Sequence, residues 1–167
     1  MIDKNWVVAM ANYNTWQNES LYRCAAELDG KQRREDRGAF FKSIHATLNH
    51  ILWADMAWMH RFANTPAPTV PPPQSTTMIE KFSELRKQRA AMDQTIQTWA
   101  ADLDPDWLQG DLHWYSGLLK KDVSKAKWVL LTHFFNHQTH HRGQVHAMLT
   151  AAGTKPDDTD LMLMDVG

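Results

Sequence analysis

Five prolines fall within eight residues, at Pro66, Pro68, Pro71, Pro72 and Pro73. Each ring fixes φ and removes a backbone donor, so this run cannot continue a helix and favours extended chain. The sequence on either side of it has a different character. From Asp3 to Leu28 there is no glycine or proline, and Trp6, Met10, Tyr13, Leu21, Cys24 and Leu28 recur at helical spacing. Asp3 is the expected N-cap of this first long helix and Gly30 its expected stop. A second helix is expected from Ala39 to Asn64. A third is expected from Thr77 to Ala101, with Ile79, Phe82, Leu85, Ala90, Met92, Ile96 and Trp99 as its apolar set and Asp104-Pro105 as its end. The fourth runs from Ser124, as N-cap, to Ala152, with Gly153 as the C′ residue. At 1.5 Å per residue these helices are each about 36–43 Å long. Those flanking the prolines are too apolar to stand alone, which makes the proline run a crossover within one bundle rather than an interdomain linker.

The remaining segments are short. Lys31 to Gly38 mixes Glu35 and Asp36 among bases and reads as a solvated loop. Residues 106–122 carry Gly110, Gly117 and the alternating Leu112, Trp114 and Leu118, the pattern of a loop or short hairpin. The tail contains Leu161-Met162-Leu163-Met164, expected to dock back on the bundle. No βαβ pattern, phosphate-binding glycine loop or solenoid period is visible. The expected fold is all-α: one domain over residues 1–167, a four-helix bundle with a long Pro-rich crossover between the second and third long helices and a short irregular or hairpin segment before the fourth.

Composition narrows the function classes. With 22% charged and 43% apolar residues the chain resembles neither a disordered nor a membrane protein. Lys plus Arg is 18 and Asp plus Glu is 19, a net charge of −1 that argues against a nucleic-acid binder relying on phosphate neutralisation. Lys120, Lys121, Lys125 and Lys127 with Trp114 and Tyr115 form a small basic and aromatic cluster, read as a solvated helix start in preference to a nucleic-acid surface. Cys24 is the single cysteine, so an intramolecular disulfide or a multi-cysteine metal site is excluded, and it reads as a small core residue. The N-terminus lacks the pattern of a signal peptide and no run of about 18 apolar residues occurs, so a cytoplasmic setting without membrane contact is expected. Trp53, Trp58 and Trp128 are expected as core anchors or a dimer seam.

Five of the nine histidines (His133, His137, His140, His141 and His146) lie within 14 residues of the fourth helix. Residues four apart on a helix differ by about 40° in azimuth and 6 Å in rise, so His137 and His141 project from one face and can hold one ion. His146 lies on the opposite side and is expected at the surface. Nine scattered histidines would yield such a pair about half the time, so the pair alone is weak. Two further features strengthen it. On the second helix, Ser43, Thr47, His50, Ala54 and Ala57 form a stripe in which small residues leave room beside an imidazole, as a pocket between helices requires; a plain packing seam is the alternative. Gly143 in mid-helix costs about 1 kcal/mol relative to alanine, which either a close approach to the backbone or simple tolerance would explain. Three neutral imidazoles with an open fourth position suit a borderline divalent ion, Zn²⁺ first, with Ni²⁺ or Fe²⁺ as alternatives. Asn49, Asp55, Asn136 and Gln144 stand near in sequence to support the ligands' other ring nitrogens, unpaired at this stage.

These residues resemble the DinB family of metal-dependent helical bundles. The likeness is carried by Leu48-Asn49-His50-Ile51, Ala54-Asp55, Trp58 and Arg61, and by Asn136-His137-x-x-x-His141-Arg142-Gly143-Gln144. The early Tyr13-Asn14-x-Trp16 and the late Gly153 and Thr159-Asp160-Leu161 also fit, so it spans nearly the whole chain. The resemblance implies a four-helix bundle, often homodimeric, with a divalent ion on His50, His137 and His141. Relatives include S-transferases and isomerases that use low-molecular-weight thiols.

The expected function is therefore a divalent-metal-dependent enzyme: a thiol-dependent S-transferase, or a related hydrolase or isomerase, acting on a small electrophilic molecule. His133, one turn before His137, is the candidate base or cavity residue. The alternative is a non-catalytic metal-binding stress-response protein, its site closed by a fourth ligand from His133 or Asp55. Arg61 and Arg142 are each open to two readings, an anionic-substrate contact or a salt bridge between helices or subunits, the latter preferred.

Overall fold

The computed structural model of the chain describes residues 2–117 and 119–164. Its four long helices are α1 (Lys4–Glu27), α3 (Ile44–Ala63), α4 (Phe82–Asp102) and α5 (Lys127–Ala151); a one-turn α2 (Gly30–Arg34) follows α1, and a hairpin of β1 (Asp111–Ser116) and β2 (Lys121–Ala126) precedes α5. α1 and α3 each pack against both α4 and α5, so they occupy one diagonal of the bundle. This is the all-α bundle that the sequence implies, with both the crossover and the hairpin.

Local chemistry sets the boundaries. The Asp3 side chain accepts from the Trp6 N–H and starts α1 as expected. Gly30 does not stop a helix; it begins α2, because Asp29 and Gln32 form a reciprocal capping box that winds the expected loop into a turn. Ser43 caps α3 at the Ala46 N–H, four residues beyond the expected Ala39 start. Asn64 closes α3 in the left-handed region, at φ 54°. α4 likewise begins late, at Phe82 rather than Thr77, because Ile79 is held from α3 by Asn49. Ser124 is not a helix cap: it pairs with His113 in the antiparallel ladder and donates to Asp111, so α5 starts only at Lys127. At the other end Gly153, with φ +89°, lets its own N–H reach the Thr150 carbonyl and the Thr154 N–H reach that of Leu149.

The core is divided. One apolar cluster gathers Leu21, Cys24, Ile44, Leu48, Leu52, Leu85 and Leu149, and a second gathers Val7, Met59, Phe62, Ile96, Leu131, Phe134 and Phe135. Between them every long helix contributes buried polar side chains: Asn14 and Asn18, Asp55, Arg89 and Asp93, Gln138 and Arg142. Arg89 donates to Asp55 at 2.6 Å and lies 3.0 Å from Asp93; Asp93 accepts from Asn14 and Asn18, Asp55 accepts from Gln138, and Arg142 donates to Asn14. The layer contains two arginines and two aspartates, so its formal charge cancels.

One expectation about apolar residues fails and another holds in part. Leu161, Met162 and Leu163 do not dock but are exposed; the tail is tied down instead by polar contacts from α1, with Tyr13 donating to the Thr159 carbonyl, Gln17 to that of Asp158, and Arg23 to the Asp157 carboxylate. Trp128 is 42% exposed at the start of α5 and is no core anchor of this chain, whereas Trp58 packs against the second apolar cluster and Trp53 is half-buried beside His50. Cys24 is fully buried, and burial raises its thiol pKa. Leu118 lies outside the described residues. Among the described residues no helix is long and apolar enough to cross a membrane.

Candidate metal centre

α3 and α5 pack side by side, and each sends outward what lies next to the polar layer. On α5, Gln138 and Arg142 turn inward to Asp55 and Asn14, which leaves the preceding residues, His137 and His141, on the stripe toward His50 of α3. Ring centroids stand 5.2 Å apart for His50 and His137, 4.9 Å for His50 and His141, and 4.5 Å for His137 and His141. The Nε2 atoms of His50 and His137 are 3.2 Å apart, and one nitrogen from each of the three rings lies within 4.8 Å of the others. Two ligands at about 2.05 Å in tetrahedral geometry would be about 3.3 Å apart, so small rotations of the rings suffice to grip one ion. The three histidines chosen from sequence are thus the group that the fold brings together.

Their surroundings keep the rings neutral. Burial, and then the neighbouring His141, push the pKa of His50 down to about 4. His137 is pushed to about 3 by burial first and then by His141, His50, His133 and His140. His141 is also lowered by burial, against the opposing effect of its bond to Gln144. At neutral pH all three therefore offer bare nitrogens, the form a cation requires.

The other ring nitrogens have partners. The Nδ1 of His141 lies 2.9 Å from Gln144 Oε1, an acceptor, so Nδ1 carries the proton and Nε2 is free to ligate. The Nδ1 of His50 lies 3.0 Å from the hydroxyl of Ser75. Gln144 was recognisable from sequence as a neighbour; Ser75 was not, since it comes from the end of the crossover, 25 residues away. Phe41 was also missed. Its ring stands 4.0 Å from that of His50 and 5.2 Å from that of His141, covering one side of the cluster, while Trp53 stacks on His50 at 6.4 Å.

The remaining candidates fall elsewhere. The His133 ring is 5.7 Å from that of His137, outside the group of three, and stands edge-on to Trp58 at 5.4 Å. Asp55 is not a fourth ligand, because both its oxygens are engaged by Arg89 and Gln138 inside the bundle. Asn49 and Asn136 do not support the imidazoles either: Asn49 is buried against Ile79 and Asn136 is exposed. Among the described residues of this chain neither Arg61 nor Arg142 makes a salt bridge between helices. Arg61 donates to the Ala57 carbonyl and lies over Trp58 at 4.8 Å, whereas Arg142 is buried under Tyr13 in the polar layer, where burial draws its pKa to about 10. His146 is half-buried rather than at the surface, and a Cβ on Gly143 would meet nothing within 4 Å, which favours tolerance over close approach within this chain.

The fold and the cluster together define a helical bundle with a three-histidine site built from two helices. The sequence profile described as the DinB family matches residues 1–166, and the chain belongs to that family. It is also similar to the protein named Protein DinB from Bacillus subtilis (strain 168), at 27% identity over 156 residues, covering 89% of this chain and 87% of that one. No solved structure matches at a significant level.

Proposed function

We propose that this chain is a divalent-metal-dependent enzyme in which His50, His137 and His141 hold the ion, Zn²⁺ in first place and Ni²⁺ or Fe²⁺ after it. The supporting observation is the donor set: three neutral imidazoles converge from two helices, and the only carboxylate considered as a fourth ligand is engaged by Arg89. Three protein ligands and one open position is the pattern of catalytic rather than structural zinc sites. A cation held there supplies the Lewis acidity that makes a thiol or a water molecule nucleophilic at neutral pH.

The chain's own residues would do the rest. Phe41 and Trp53 flank the imidazoles with apolar surface and exclude water from one side. His133, whose pKa burial also lowers, is neutral at pH 7 and can take a proton from an incoming nucleophile, one turn from His137. The substrate in this reading is a small electrophile and the co-substrate a low-molecular-weight thiol, as the family resemblance implies. The same reading takes the protein to be a cytoplasmic homodimer, which light scattering on the purified protein checks.

Metal analysis of protein purified without a histidine tag, followed by a thiol-and-electrophile screen with the matching metal, tests the proposal. His137→Ala is expected to lose at least about tenfold in metal affinity, the scale of losing a site's support or more, together with S-transfer to a model electrophile. Turnover unchanged in that variant would contradict it.

A further inference from the structure

The bundle does not require its proline-rich crossover to take any particular path, yet the path is closely fixed. Between Thr65 and Ile79 the chain runs back along α3, and α3 side chains hold it at successive points. His60 donates to the Thr65 carbonyl at 2.6 Å, Trp53 to the Val70 carbonyl at 2.8 Å, and His45 to the Ile79 carbonyl at 2.9 Å. Asn49 accepts from the Ile79 N–H at 2.8 Å and donates to its carbonyl at 3.1 Å. Between the Val70 and Ile79 anchors, immediately after the short 3₁₀ turn Pro72–Gln74, sits Ser75, 4% exposed, with its hydroxyl 3.0 Å from Nδ1 of His50.

That contact bears on which nitrogen of His50 is bare. The two ring nitrogens of a neutral imidazole share one proton; a serine hydroxyl can accept from Nδ1–H or donate to a bare Nδ1, and a cation on Nε2 requires the first. Nε2 of His50 points at Nε2 of His137, toward the centre of the cluster. If Nδ1–H donates to the Ser75 hydroxyl, Nε2 is left as a lone pair aimed at the ion position. Proline restricts the unfolded chain and favours extended backbone, so the strap reaches this geometry at a low cost in conformational entropy.

We propose that Ser75 is a positioning residue of the metal centre: the proline-rich strap, clamped along α3, delivers its hydroxyl to Nδ1 of His50 and thereby fixes the ligating tautomer and ring orientation. The proposal rests on the metal-dependent reading of the histidine cluster. It also gives Asn49 and Trp53 their role, which is to hold the strap in register rather than to touch the ion.

The test combines two measurements on wild type, Ser75→Ala and Ser75→Thr. Long-range ¹⁵N–¹H correlation spectra of the metal-free proteins read the His50 tautomer, and competition titration with Zn²⁺ reads affinity. Expected are an Nδ1–H tautomer in wild type, a shift toward Nε2–H in S75A with Zn²⁺ affinity down about 10–100-fold, and restoration of both in S75T, which keeps the hydroxyl. An unchanged tautomer in S75A, or Zn²⁺ affinity within about twofold of wild type, a change too small for such a partner, overturns the proposal. A wild-type protein that binds none of Zn²⁺, Ni²⁺ and Fe²⁺ overturns the metal-dependent reading, while the tautomer comparison still decides the role of Ser75. If S75A loses its cooperative thermal melt, Ser75→Cys carries the test by replacing the hydroxyl with a poor hydrogen-bond partner: a tautomer shift supports the role of Ser75 and its absence overturns it.

Discussion

A histidine can ligate a cation only while one of its nitrogens is bare, and at His50 and His137 burial extends that condition well into acid. An ordinary imidazole has a pKa near 6.5; these two stand at about 4 and about 3, and His141 is lowered with them. Protons should therefore compete poorly. Metal affinity is expected to start falling at a lower pH than it would on imidazoles of ordinary basicity, whereas a midpoint near pH 6.5 in a competition titration would show ligands that are not shifted. The sign for the metal-free protein follows from the same shifts. Below about pH 6.5 the unfolded chain takes up protons that the folded rings refuse, so stability is lost as the pH falls from there toward 4. His137→Ala, lacking the most shifted ring, should lose less over that interval in thermal melts. At this scale the sequence was partly legible. His137 and His141 are four apart on one helix and announce their common face; His50 stood out by its stripe of small neighbours and by the family likeness. Ser75 and Phe41 carry no local signal, because what places them at the site is a chain path and not a spacing.

Among the elements, the polar layer across the bundle holds the most unusual energetics. Arg89 and Asp55 are each nearly inaccessible to solvent and 2.6 Å apart. Arg89 is shared with Asp93, so Asp55→Ala leaves two arginines facing one aspartate in the buried layer and is expected to cost about 3–5 kcal/mol in denaturant unfolding. A loss under about 1 kcal/mol would show that Asp93 alone balances Arg89. Gly143 gives the opposite expectation. It lies inside α5 with open space where a Cβ would stand, so Gly143→Ala should stabilise the protein by about 1 kcal/mol. A loss instead, or a change of oligomeric state, would show that this face meets another surface. The four long helices were legible from apolar periodicity, but their ends moved wherever a side chain had a better partner. Ser124 resembled a cap and became a strand residue because Asp111 stands across the hairpin; Gly30 resembled a stop and became a start because Asp29 and Gln32 cap each other. The polar layer was missed for a similar reason. Asp55 reads from sequence as a candidate ligand and Arg142 as a partner in a salt bridge between helices or subunits, since sequence does not show that Arg89 and Asn14 wait for them on other helices.

In the whole molecule, the division of the core explains why the site lies where it does. Two apolar clusters fill the ends of the bundle, the polar layer crosses between them, and the histidines stand at that level on the α3–α5 side with the proline strap laid against α3. The crossover was legible from five prolines in eight residues, but its course back along α3 was not, because it depends on carbonyl groups that sequence does not distinguish. The account depends on one ion held by three imidazoles from α3 and α5. X-ray absorption at the zinc edge, on tag-free protein loaded with one equivalent of Zn²⁺, tests that most directly. Three imidazole nitrogens at about 2.0–2.1 Å and one lighter, exchangeable ligand are expected. Fewer than three imidazoles around the ion, or a spectrum unchanged in His50→Ala, would contradict it.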